Sequence, residues 1–149
     1  MKIIKDTSES LITYSLGSCL GLTVYDSQNK IGGLVHCLLP NAKIDEEKAA
    51  KNPYMFVETG VTALFNQMFK LGASRKNLIV KAAGCGAALN TTSQFNIGER
   101  NFTILRKILW KNNILLNGKD VGGSKPRTMI LEMETGETTI KVGAERYKI

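Results

Sequence analysis

Between Leu11 and Pro40 the chain has no helical periodicity and two short turn signals, and this block limits what it can fold into. Leu11-Ile12-Thr13-Tyr14 reads as a short strand, Leu16-Gly17-Ser18-Cys19 as a turn, and Leu20 to Tyr25, with its β-branched and aromatic content, as a second strand. Asp26-Ser27-Gln28-Asn29-Lys30 is turn chemistry. Ile31 to Leu39 resumes as a third strand with a bulge or kink at Gly32-Gly33, and Pro40 stops it. Runs joined this closely pair as hairpins, so the sheet is expected to be mostly antiparallel.

The remainder supplies helices and further strands. Asn41 to Asn52 is polar and reads as a surface loop with one helical turn. A helix is expected to open at Pro53, carry Phe56, Val57, Val61, Leu64, Phe65, Met68 and Phe69 on one face, and stop at Gly72. Gly60 inside it points to close packing, since an interior helical glycine costs about 1 kcal/mol against alanine. Leu78 to Ala83 reads as a buried strand, and the small residues 84–88 allow backbones to approach closely. A second helix is expected over Glu99 to Lys111, then strands at Ile114–Leu116, Thr128–Glu134 and Thr138–Val142, the last two joined by the turn Thr135-Gly136-Glu137. Asp120-Val121-Gly122-Gly123 reads as a turn. With no repeat and no linker, residues 1–149 are expected to form one α+β domain with two main helices packed on sheet.

Composition narrows the class. Hydrophobic residues make up 43% and charged residues 22% of the 149, which is globular and argues against disorder. No apolar run approaches the ~20 residues of a membrane span, and the N-terminal decad lacks a signal-peptide core, so a cytoplasmic protein without membrane insertion is expected. The net charge is +7, from 20 Lys and Arg against 13 Asp and Glu. The basic residues are scattered and no RNP, zinc-finger or basic-arm motif accompanies them, so a solvated basic face or attraction to an acidic protein surface is expected, and nucleic-acid binding is not.

The chain has three cysteines (Cys19, Cys37, Cys85) and one histidine, His36. None of the cysteines falls in a C-x-x-C pair, so with one histidine they make a poor ligand set for structural zinc, and an odd cysteine count fits no disulfide framework; no metal or cofactor is expected. Reactivity is the remaining question. Pairing the second and third strands across the Asp26–Lys30 turn places Cys19 opposite the His36-Cys37 step. Alternation allows only one of those two to share its face, and Thr13 reaches the same place if its strand joins the sheet. A thiol is mostly protonated at neutral pH, so a neighbouring imidazole that takes its proton makes it a nucleophile. Gly17 and Ser18 leave the backbone uncrowded ahead of Cys19, so amides there can face an oxyanion, and Thr13 can hold the imidazole in one orientation. Cys37 and Cys85 read as core residues, and Gly84-Cys85-Gly86 lacks the phosphate-loop pattern.

Leu16-Gly17-Ser18-Cys19, Ile31-Gly32-Gly33-Leu34-Val35-His36, Leu38-Leu39-Pro40, Glu58-Thr59-Gly60, Phe95-Asn96-Ile97-Gly98-Glu99-Arg100-Asn101 and Asp120-Val121-Gly122-Gly123 follow one another in an order that resembles the chemoreceptor glutamine deamidase family, CheD, over nearly the whole chain. The resemblance implies an α/β/β sandwich similar to that of Cys–His deamidating toxins, and hydrolysis of glutamine side-chain amides on chemoreceptor cytoplasmic helices. Under it, Cys19 is the nucleophile, His36 the base and Thr13 the third member. It also implies methylesterase activity in some members and binding to a CheC-type phosphatase in some organisms, so a weakly catalytic binding module is the alternative. Ala82 to Ala88 and the polar segment Leu89 to Gln94 depart from the family pattern.

Overall fold

The structure is a computed structural model that describes residues 1–87 and 96–149. In chain order the elements are β1 (Lys2–Ile4), β2 (Ser10–Leu16), β3 (Leu20–Asp26), β4 (Ile31–Cys37), α1 (Glu46–Lys51), α2 (Val57–Lys70), β5 (Leu78–Gly84), α3 (Ile97–Lys111), β6 (Gly118–Val121), β7 (Arg127–Glu132), β8 (Thr138–Val142) and β9 (Glu145–Lys148). They form two sheets, β1-β4-β3-β5-β6 and β2-β7-β8-β9. Every strand pairing is antiparallel except β5 with β6.

Three layers follow from the pleat of the first sheet. Leu20, Leu22 and Val24 of β3 and Ile31, Val35 and Cys37 of β4 pack against Val57, Val61, Leu64 and Met68 of α2 and Leu105 and Leu109 of α3. The alternate residues face the second sheet: Tyr25 and Leu34 meet Leu11, Leu131 and Met133, and Ala83 meets Leu16, Met129 and Ile140. β3 is central in its sheet and covered on both faces, so all seven of its residues are buried. The arrangement is an α+β fold with an α/β/β sandwich.

The turn before β4 is fixed by Asp26, whose buried carboxylate accepts from the backbone N–H groups of Gln28, Asn29 and Ser74. Gly32 and Gly33 carry no bulge; pairing runs unbroken from Leu20↔Cys37 to Asp26↔Ile31. These glycines instead admit large neighbours: a Cβ at Gly32 would strike Met133, and one at Gly33 would lie 2.6 Å from Leu64. At Gly60 a Cβ would lie 2.9 Å from the Tyr54 carbonyl, so the expected close packing is present. α3 begins with Asn96, which accepts from Glu99 N–H and donates to its carboxylate, a reciprocal cap.

Several sequence expectations need correction. β2 does not join the sheet of β3 and β4; it is the edge strand of the second sheet. Ile114–Leu116 is not a strand. The strand lies at Gly118–Val121, so Asp120-Val121 ends a strand and only Gly122-Gly123 turns, both at positive φ. α2 begins at Val57 behind a short 3-10 turn at Pro53–Met55, and Ala42–Ile44 and α1 occupy the expected loop. β1 and β9 have no counterpart in the sequence reading.

Gly84 lies under the nucleophile candidate, with φ +92° and a would-be Cβ against the Cys19 carbonyl. Gly84→Ala is therefore expected to destabilise the protein by roughly 2 kcal/mol or more, from a left-handed backbone and a backbone clash together. Urea denaturation of the two proteins checks this.

Candidate active site

The site forms at one end of the sandwich, where the two sheets face each other across His36. In β4, His36 lies opposite Gly21 and Cys37 opposite Leu20, one residue away from the register expected from the turn. The shift settles which residue shares a face with Cys19. Cys37 points into the helix-facing core, whereas Cys19 packs against the Leu16–Ala83–Met129–Ile140 cluster between the sheets, on the side where His36 lies. Gly21, opposite His36, has no side chain because a Cβ there would lie 2.5 Å from Leu16 and 3.2 Å from Met129.

Thr13 reaches His36 from the opposite sheet, with Oγ1 2.9 Å from Nδ1. Thr13 faces inward by alternation with Leu11, and a bulge in β2 follows it. Thr13 pairs with Met129 and Leu16 with Arg127, so one extra residue is accommodated at Tyr14-Ser15, where Ser15 has φ +57°. Both Thr13 and Leu16 thereby face inward despite a three-residue spacing that would place them on opposite faces of a regular strand. With Nδ1 held by a hydroxyl, Nε2 is the ring nitrogen left for proton transfer. Among the described residues no hydrogen bond joins the Cys19 thiol to the imidazole.

Burial sets the resting charges. It pushes the Cys19 thiol up, against a hydrogen bond from the residue's own backbone N–H that lowers it. Burial likewise pushes His36 below the ordinary value of 6.5. The pair therefore rests as neutral thiol and neutral imidazole at neutral pH. Such a set, a thiol on the same side of the sheet as an oriented base, with uncrowded backbone amides, is equipped for nucleophilic acyl transfer. Cys37 and Cys85 are buried, and their thiols are pushed up to about 12 by that burial.

The Cys19 loop is braced from below. Gly86 N–H donates to the Gly17 carbonyl and Cys85 N–H to the Cys19 carbonyl, each at 2.8 Å. Residues 84–87 are braced in turn: Gly122 N–H donates to the Gly84 carbonyl, and Ala87 N–H to the Gly123 carbonyl. Arg127 fixes that glycine turn through Asp120 Oδ2 at 3.0 Å and the Gly122 carbonyl at 2.6 Å. Asn101 of α3 donates to the Ser18 and Leu38 carbonyls.

Thus Thr13 and His36 are bonded, Cys19 lies on their side of the first sheet, and Gly17 and Ser18 form the loop that presents it. Arg127 and Asn101 were missed as contributors. The signal for Asn101 was available: it falls on the ridge Ile97, Asn101, Leu105, Leu109, where a polar residue among apolar ones needs a partner in the core. Of the segment that departs from the family pattern, Ala88 to Gln94 lies outside the described residues.

Comparison with known proteins gives a consistent answer. The family model described as CheD chemotactic sensory transduction matches residues 38–142, a span that begins just after the site histidine. A protein of Syntrophus aciditrophicus named probable chemoreceptor glutamine deamidase CheD 1 is 42% identical over 140 residues, covering 94% of this chain and 88% of that one. Similarly named proteins of Solibacter usitatus and Thermococcus kodakarensis are 43% and 37% identical, covering 93% and 87% of this chain and 82% and 80% of their own. A match of this extent, on a sandwich whose two sheets meet at a Thr–His pair beside a cysteine, means that the chain belongs to the CheD family.

Proposed function

We propose that this protein is a protein-glutamine deamidase acting on chemoreceptor cytoplasmic helices, with residues 1–149 forming one deamidase domain. The observation that carries the reading is the Thr13–His36 hydrogen bond across the two sheets, on the side of the first sheet where Cys19 lies, in a chain whose relatives are named for that activity. His36 Nε2 takes the Cys19 proton as Sγ attacks the carboxamide carbon. Backbone amides around Ser18 and Cys19 donate to the resulting oxyanion. The imidazolium returns its proton to the amide nitrogen, the C–N bond breaks and ammonia leaves a thioester. His36 then takes a proton from water, whose oxygen attacks the thioester carbon; the C–S bond breaks and Cys19 regains its proton, leaving glutamate.

A charge of +7 suits an acidic receptor surface, and turnover of a receptor fragment is expected to fall as salt rises. Thr13 acts on the imidazole alone. Thr13→Val, which keeps the shape and removes the hydroxyl, is expected to lower kcat by about 10-fold to 100-fold, whereas Thr13→Ser stays within about 3-fold of wild type in the same assay. Product analysis tests the reading against a receptor methylesterase. Ammonia released from a fragment bearing glutamines supports deamidation, while methanol from its methylated form with no ammonia overturns it.

A second reading, regulation of a CheC-type phosphatase, draws on one surface. A groove of about 810 Å³ between α3 and residues 114–119 exposes Trp110 and Leu115, at 77% and 79%, beside Arg106, Lys107 and Lys119. Cys19→Ala is expected to abolish deamidation and leave such binding intact, which separates the two roles.

A further inference from the structure

Asn101 lies on the buried ridge of α3 and is itself fully buried. Its Nδ2 donates to two main-chain carbonyls from distant parts of the chain, Ser18 at 2.9 Å and Leu38 at 3.1 Å. Carbonyl oxygens only accept, so the amide has one orientation: nitrogen toward the two carbonyls, and Oδ1 with no donor among the described residues. A buried acceptor without a donor is costly, and a leucine on this ridge would avoid the cost. The two carbonyls are therefore what makes asparagine useful here.

Their positions matter. Leu38 immediately follows β4, the strand that carries His36. The Ser18 carbonyl belongs to the peptide that ends in the Cys19 N–H. That peptide is trans and planar, so its C=O and N–H point in opposite directions. Anchoring the oxygen against α3 in the core turns the Cys19 N–H the opposite way, away from α3. We propose that Asn101 is a positioning residue for acyl transfer. Through the Ser18 carbonyl it aims the Cys19 amide at the oxyanion, and through the Leu38 carbonyl it fixes the end of the strand bearing the base. The proposal deepens the deamidase reading and rests on its use of Cys19 as an acyl-accepting nucleophile.

Two reagents separate this role from general support of the site. Acylation by p-nitrophenyl acetate passes through a tetrahedral oxyanion: Cys19 Sγ bonds to the acetyl carbon, p-nitrophenolate departs, and a thioester forms. Alkylation by iodoacetamide displaces iodide from carbon without an oxyanion, so it reports the thiol, its base and its exposure alone. Both rates would be followed on Cys19 by peptide mass spectrometry, in wild type, Asn101→Ala and the shape-preserving Asn101→Asp. Steady-state deamidation of a receptor fragment would be measured beside them.

Acylation is expected to fall about 10-fold to 100-fold in both variants while alkylation stays within about 5-fold. The deamidation kcat falls in parallel with acylation, with KM within about 3-fold. Equal losses in both reagents, no loss in either, or a wild-type Cys19 that is alkylated but never acylated overturns the proposal. Failure of both variants to give a cooperative thermal transition also overturns it, by assigning Asn101 to the core alone. A wild type that is acylated but releases no ammonia from receptor, with the selective loss still present in the variants, overturns the deamidase reading and leaves the role of Asn101 standing.

Discussion

Cys19→Ala is expected to lower glutamine deamidation by at least about 10⁴-fold while leaving the thermal transition close to wild type. The other two thiols are not placed to replace it. Cys37 faces the helices and Cys85 is buried beneath the loop, and burial pushes both thiols up to about 12. At neutral pH neither supplies appreciable thiolate, and neither is open to solvent. Brief iodoacetamide treatment is accordingly expected to modify Cys19 alone and to remove activity in step with that modification. Tryptic mapping of the alkylated protein against residual activity measures both together. Modification of Cys37 or Cys85 that tracks the loss would place the nucleophile elsewhere.

The second large effect belongs to His36. In the proposed mechanism His36→Ala removes the proton acceptor for attack and the proton donor for ammonia release, and is expected to cost about 10²-fold to 10⁴-fold in kcat. Its pH dependence carries a sign. Burial holds the imidazole below its ordinary value of 6.5, so the neutral, proton-accepting form persists further into acid than a solvent-exposed histidine would allow. The acid limb of kcat/KM should therefore have its midpoint below 6.5. It should be absent from the residual activity of His36→Ala. The same shift bears on stability. From 6.5 downward the unfolded chain binds this proton before the folded one, so stability falls as pH drops from 6.5 through the folded value, and is retained above 6.5. A limb centred above 6.5 would mean an imidazolium stabilised by a resting thiolate, and a different starting state.

What the sequence made legible was the local chemistry of one hairpin. The Asp26–Lys30 turn, set by a buried aspartate, brings β3 against β4 and so Cys19 near His36, and a single-residue error in register did not move them apart. It did decide the face. With Leu20 opposite Cys37, it is His36 and not Cys37 that shares the side of Cys19. The helices were legible because their apolar ladders outlast the uncertainty at their ends: α2 kept the expected buried residues Val61, Leu64 and Met68, and α3 spans the expected Glu99 to Lys111.

The long-range parts were not legible. Thr13 was expected at the site only if its strand joined the sheet of β3 and β4, and it arrives instead from the facing sheet. No local pattern encodes which of two sheets a strand joins. Asp120 and Val121 resemble turn chemistry because two glycines follow them, yet pairing with β5 draws them into a strand, and Arg127 holds the glycines. β1 and β9 are three and four residues long, too short for alternation to stand out. Asn101 was visible as a polar residue on an apolar ridge, but its partners lie 83 and 63 residues away.

The central claim is that Cys19, with His36 as its base, converts receptor glutamine to glutamate. Peptide mass spectrometry of a folded receptor cytoplasmic fragment, incubated with wild type, Cys19→Ala or His36→Ala, tests it most directly. A gain of about one dalton at particular glutamines with wild type alone is the predicted result, since replacing an amide by an acid changes the mass by that much. An unchanged fragment with wild type, or the same gain with Cys19→Ala, would contradict it.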